Sequence, residues 1–159
     1  MLERMIRAVR LDADLYETVE HDPSYTREAA IIVVIVAVLN GIGGGFIADS
    51  WFVGFIAFAI VRLLGWLLWA AITDFVGRSL FNATSDIGEM LRVIGYAQSV
   101  LVLTLIPIVG WLALIWSLVC LVVALRQGLD ISTGKAVVVG IIGWLVVTIA
   151  SGIVLALVV

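Results

Sequence analysis

The sequence predicts an all-α polytopic membrane protein, a bundle of five transmembrane helices with a short amphipathic N-terminal helix ahead of it. Three observations predict this. First, 64% of the 159 residues are hydrophobic and 13% are charged, with a mean hydropathy of +1.24. Twelve acids and nine bases cannot give a domain this size a polar skin, so lipid is the expected solvent. Second, the apolar residues fall into five runs of membrane-crossing length. Third, the basic residues cluster on one set of connections.

The runs are 29–48, 51–76, 90–106, 108–125 and 136–159. An α-helix rises about 1.5 Å per residue and the hydrocarbon core is about 30 Å thick, so about 20 residues cross it. The first, second and fifth runs fit comfortably. The third and fourth are shorter, and "IPIVGW" joins them, with Pro107 and Gly110 suited to a tight hairpin. Distortion is expected there. Asp22-Pro23 reads as a helix cap followed by proline, opening the first span. Asp86 with Glu89 reads as a capping box opening the third.

Residues 1–28 then form an N-terminal segment and 29–159 the transmembrane domain. Leu2, Met5, Ile6 and Val9 recur at helical spacing among Arg4, Arg7 and Arg10. Two readings follow: a basic amphipathic helix on an anionic leaflet, or a first turn packed on the bundle. The segment has no apolar core ending in a small-residue cleavage site, so no cleaved signal is expected. Arg4, Arg7, Arg10 and Arg27 precede the first span; Arg78 and Arg92 flank the second connection, Arg126 and Lys135 the fourth. The opposite loops carry no base. These charges predict a cytoplasmic N-terminus, a cytoplasmic face at all eight, and an external C-terminus. Asn82-Ala83-Thr84 matches a glycosylation pattern, but this topology puts it in the cytoplasm, where it is a chance match.

The ninth basic residue is different. Arg62 lies eleven residues inside the second run, about 16 Å deep. A central arginine costs about 2.5–3.5 kcal/mol on insertion scales, so it should face the bundle. Asn40 lies eleven residues into the first run and its carbonyl is a candidate acceptor; Gln98, Ser99, Thr104 and Ser117 are candidates to complete the shell. No carboxylate falls at this depth, so polar side chains, water or backbone carbonyls must solvate the cation. "NGIGGGF", bent or partly unwound, is one expected source of carbonyls. Two uses stay open: contact with an ion, lipid headgroup or anionic substrate, or a pin that fixes helix packing. Gly41-xxx-Gly45 and Ala136-xxx-Gly140 allow close helix approach.

Enzymatic motifs are missing. There is no HExxH, GxSxG or phosphate-binding loop, and His21 has no nucleophile nearby in sequence. One cysteine, Cys120, and one histidine exclude a disulfide framework and a Cys/His metal cluster. No cofactor, metal or nucleic-acid partner is expected, and the chain reads as non-enzymatic.

From about residue 75 to 145 the chain resembles the Yip1 family of membrane proteins. The stretches that carry the likeness are "GEMLRVIGYAQS", "LIPIVGWLALIWSLVCLVVALRQGLDIS" and "GKAV"; "RAVRLDADLYETVEHDP" is similar to prokaryotic members. The resemblance implies five spans, a cytoplasmic N-terminus and a short prokaryotic-type member in the inner membrane. Eukaryotic members act in vesicle traffic with prenylated Rab GTPases and with one another. Here Asp14-Leu15-Tyr16 continues into Glu17-Thr18 rather than Gly-Pro, and Val100 stands where the family usually has proline. Both departures argue against Rab-type GTPase binding. The expected role is contact with membrane lipids, a second copy or another membrane protein. The alternatives are a small transporter or channel with a site at Arg62 and Asn40, and an accessory subunit of a larger complex.

Overall fold

A computed structural model describes residues 1–106 and 108–158. Two short helices, α1 (Leu2–Val9) and α2 (Ala13–His21), precede α3 (Thr26–Gly45), α4 (Trp51–Phe81), α5 (Ile87–Ala97), α6 (Val109–Gly128) and α7 (Thr133–Val158). A 3₁₀ segment, Gln98–Leu105, continues α5, and no strand occurs among the described residues. Counting α5 with its continuation, five helices are long and apolar enough to cross a membrane. The chain is a helical, multi-pass membrane protein.

Local chemistry sets the helix ends. The Asp12 side chain accepts from the Leu15 N–H and opens α2. Asp22 accepts from the Ser24 N–H, with Pro23 in the first helical position. Asp86 and Glu89 form a reciprocal capping box at α5. Asn82 ends α4 at φ 55°, ψ 37°, a left-handed conformation that asparagine tolerates better than most residues. That gives the asparagine of the Asn-Ala-Thr tripeptide a structural use.

The third crossing is built from two kinds of helix. Eleven α-helical residues rise about 16 Å, and the eight 3₁₀ residues add about 16 Å because each rises about 2.0 Å. The crossing reaches about 32 Å, where an all-α version would reach about 28 Å. Stretching at residue 98 lets a short run cross a full hydrocarbon core. The segment's composition permits it: Val100, Val102 and Thr104 are β-branched, and the Thr104 hydroxyl donates to the Leu101 carbonyl at 2.6 Å. The turn that follows is strained, with Ile108 at φ 69°, ψ −56°; a β-branched residue there is an outlier. Pro107, assigned to this hairpin from sequence, lies outside the described residues.

The glycine-rich end of the first span is not unwound. "NGIGGG" is α-helical through Gly45, and its glycines serve packing. A Cβ on Gly41 would sit 2.7 Å from the Phe55 carbonyl oxygen. One on Gly44 would sit 2.3 Å from the Phe58 ring, and one on Gly45 2.6 Å from the Trp51 indole nitrogen. Gly41 and Gly45 thus bring α3 against α4. In the fifth span, Ala136 is buried and Gly140 packs on Leu125 of α6.

In the half of the bundle nearest the 46–50 turn, α3, α4, α7, α6 and the 3₁₀ segment pack successively into a ring. There α4 and α6 face each other across it without a broad contact. In the other half α5 packs on α3, α4 and α6 and fills the ring. The result is a bundle plugged at one end and hollow toward the other.

α2, which the sequence reading did not single out, docks beside the plug. Leu15, Tyr16 and Val19 are buried against α5 and α6. Arg92 holds it: its guanidinium donates to the Val19 carbonyl at 2.7 Å and to the Glu20 carbonyl. Arg92 is therefore not a surface charge of the basic face but a buried cap on the C-terminal end of α2, where the helix dipole favours a cation. α1 packs on the bundle too. Tyr16 donates to the Ala8 carbonyl at 3.3 Å and Trp116 to the Val9 carbonyl at 2.7 Å, while Leu2 and Ile6 stay exposed.

Candidate functional site

The hollow half is organised around Arg62. It sits on α4 eleven residues from Trp51, about 16 Å along the helix. Its Nη2 donates to Oε1 of Gln98 at 2.7 Å. Its Nε is buried with no partner among the described residues. Gln98 is the first residue of the 3₁₀ segment, so the cation meets the third crossing where its helical character changes. No acid pairs with Arg62 among the described residues.

Three adjoining cavities share Arg62 in their walls. One of about 310 Å³ reaches Gln98, Ser117, Leu118 and Trp144. A second of about 230 Å³ reaches Asn40, Gln98 and Ser151. The third, about 450 Å³, runs from Arg62 past Asn40 and Thr104 to Phe46 and Ile47, which are exposed at the 46–50 turn. The first opens sideways between α6 and α7, since Leu114, Leu118 and Trp144 in its wall are all exposed. No carboxylate lines any of the three.

The residues singled out from sequence are thus only partly assembled. Gln98 bonds Arg62; Asn40 does not. Its amide nitrogen donates to the Val36 carbonyl of its own helix at 3.0 Å. Depth explains the miss: Gly41 packs on Phe55, which places Asn40 about one turn nearer the 46–50 end than Arg62. Asn40 still lines two of the cavities. Ser117 lines the first, with its hydroxyl donating to the Leu114 carbonyl at 2.6 Å. Ser99 is buried, its hydroxyl has no partner among the described residues, and it lines none of the three.

A second polar cluster was not read from sequence. Glu28, in the first turn of α3, accepts from Arg4 at 2.9 and 2.5 Å and from the Tyr96 hydroxyl at 2.7 Å. It ties α1 to α3 and α5. The available signal was an acid in a first helical turn. Toward the 81 end of α4, Asp74 is buried, accepting from Ser85 at 2.9 Å and pairing with Arg78 at 2.5 Å. Arg7 pairs with Asp12 at 2.7 Å and holds that carboxyl below its usual range. Lys135 lies 5.5 Å from the Phe81 ring centre, and Arg126 bonds Gln127. Burial, reinforced by the charge of Asp130, pushes the Glu20 carboxyl up to about 7.

Chemically, the Arg62 hollow offers a fixed cation, amides and a hydroxyl inside apolar walls. It suits an anion or a strong hydrogen-bond acceptor. Nothing in it suits proton transfer or nucleophilic attack, and no cluster of three metal-ligating side chains occurs among the described residues. No curated protein and no solved structure matches the chain. A protein-family model does: the Yip1 domain matches residues 13–155. The match begins at the first residue of α2 and runs through nearly all of α7, taking in the plugged ring and its docked helix. On that match, the chain belongs to the Yip1 family.

Proposed function

We propose that the protein is non-enzymatic and works through contacts within the membrane, with lipids or with other membrane proteins. One observation carries the reading. Arg62 is a cation with no acid paired to it among the described residues, placed in a hollow that opens sideways between α6 and α7. An uncompensated charge at this depth is costly and is by default a functional feature. The open wall gives lipid or a partner a route to it. The orientation proposed from the loop charges puts the N-terminus on the cytoplasmic side, with α1 and α2 docked against the bundle, and the hollow toward the outside, in a prokaryotic inner membrane. Extraction in a mild detergent followed by native mass spectrometry tests the reading. It predicts a lipid, a second copy or a partner held at defined stoichiometry; a bare monomer contradicts it.

The 3₁₀ segment favours a second reading. A 3₁₀ stretch inside a longer helix often marks a hinge, and this one starts at the residue that bonds Arg62. A transporter with its site at Arg62 would use it to open the plugged end. Solute flux in liposomes, abolished by Arg62→Leu, would place this reading first; absence of flux across a panel of anions excludes it.

A further inference from the structure

We infer that the Arg62 hollow is a site for the phosphate group of an anionic lipid whose acyl chains leave between α6 and α7. The inference rests on the contact reading above and names its ligand. Four observations converge on it. The first is the donor inventory. Arg62 carries five N–H donors and spends one on Gln98, while its buried Nε has none to serve. Because Arg62 only donates, the Gln98 amide oxygen must face it, which leaves the Gln98 NH₂ as a further donor. The Ser117 hydroxyl in the same cavity is spent on the Leu114 carbonyl, so Arg62 and Gln98 supply the free donors. A set rich in donors and lacking carboxylates matches a tetrahedral oxyanion.

The second observation is the shape of the wall. Leu114, Leu118 and Trp144 border the opening and are exposed on the face that meets hydrocarbon. Acyl chains suit that border; a hydrophilic solute gains nothing from it. The third is size. A cavity of about 310 Å³ holds a headgroup, whereas a partner helix about 10 Å across would have to part α6 from α7. The fourth is the vestibule from Arg62 to Phe46 and Ile47, which gives a headgroup at that bundle end a path inward without crossing the α5 plug.

The full-length protein in mild detergent, titrated and followed by native mass spectrometry, decides the matter. Three probes separate the sources of binding: dioleoyl phosphatidic acid, dioleoylglycerol with the same chains and no phosphate, and inorganic phosphate. Phosphatidic acid should bind at one copy per chain, dioleoylglycerol at least 10-fold more weakly, and inorganic phosphate should fail to displace the lipid at equal concentration. Equal binding of the two lipids would overturn the phosphate assignment. Displacement by equimolar inorganic phosphate would overturn the lipid assignment. Arg62→Leu should lose the phosphatidic acid preference but is exposed to misfolding, so Gln98→Glu is the sharper variant. It puts a carboxylate where the amide oxygen now accepts from Arg62, which keeps the helix contact and cancels the free charge. The variant should stay folded and bind phosphatidic acid at least 10-fold more weakly. Undiminished binding in Gln98→Glu, with other lipids or partners still retained, sinks this inference and leaves the contact reading standing. A wild-type chain that retains neither lipid nor partner sinks both.

Discussion

The glycines of α3 offer the sharpest quantitative test of the packing. An alanine at position 44 would place its Cβ 2.3 Å from Cδ2 and Cγ of Phe58 and 2.7 Å from its Cβ. Ordinary carbon contacts lie at about 3.5–4.0 Å, so the gap falls short by more than 1 Å. Phe58 cannot yield cheaply, because the atoms struck are the root of its side chain rather than its tip. Either α3 moves off α4 or the ring leaves its rotamer; overpacking of this kind costs about 1–3 kcal/mol or more. Alanine returns up to about 1 kcal/mol in helix propensity, so Gly44→Ala should destabilise by about 1–2 kcal/mol. Gly43, one residue away, has nothing within 4 Å of its would-be Cβ, and Gly43→Ala should gain up to about 1 kcal/mol. Thermal unfolding in detergent, followed by tryptophan fluorescence, reads both. At about 2–4 °C per kcal/mol for a chain this size, Gly44→Ala should lower Tm by about 2–8 °C and Gly43→Ala should raise it. Shifts of equal sign and size would mean that α3 is not helical and in contact with α4 at Gly44.

Two further predictions concern the docked α2. Arg92→Met strips the buried Val19 and Glu20 carbonyls of their donor, at a cost of about 2–5 kcal/mol. Trypsin should then cut at Arg10 and Arg27 faster than in wild type, and unchanged cleavage would contradict the cap. Glu20 titrates near 7 when folded and near its ordinary value when unfolded. The folded state therefore holds the proton longer, and its stability falls as pH rises from about 4.5 to about 7, then levels off. Glu20→Gln should raise Tm at pH 8, by the equivalent of about 1–2 kcal/mol, and leave it nearly unchanged at pH 4.5. An equal effect at both values would remove burial as the cause.

What could be read from sequence and what could not divide along physical lines. The five crossings follow from apolar run length, and the Asp86–Glu89 and Asp22-Pro23 starts from local capping chemistry. Each depends on neighbours in sequence. Register between helices does not. The two counts start from opposite ends of the bundle, which put Asn40 level with Arg62. Measured from the turn that α3 and α4 share, Asn40 lies about one helical turn nearer to it. Arg92 looked like a flanking loop charge because nothing local shows that α2 covers it. α2 itself had a signal, Asp12 as cap and Leu15, Tyr16 and Val19 on one face, but nine residues with polar neighbours are weak beside long apolar runs. The 3₁₀ segment has the composition of any β-branched span, and only the length it must cover sets it apart. The glycines at 41, 43, 44 and 45 carried an ambiguous message, since glycine permits both unwinding and close approach; the neighbouring Phe55 and Phe58 decide for approach.

The account depends on a chain that crosses the bilayer five times, with Arg62 enclosed in the bundle. Tags at the two termini, probed with an impermeant label in sealed, right-side-out vesicles before and after permeabilisation, test this most directly. The account predicts that the C-terminal tag reacts in intact vesicles and the N-terminal tag only after they are opened. Both tags reacting from the same side would mean an even number of crossings and would contradict it.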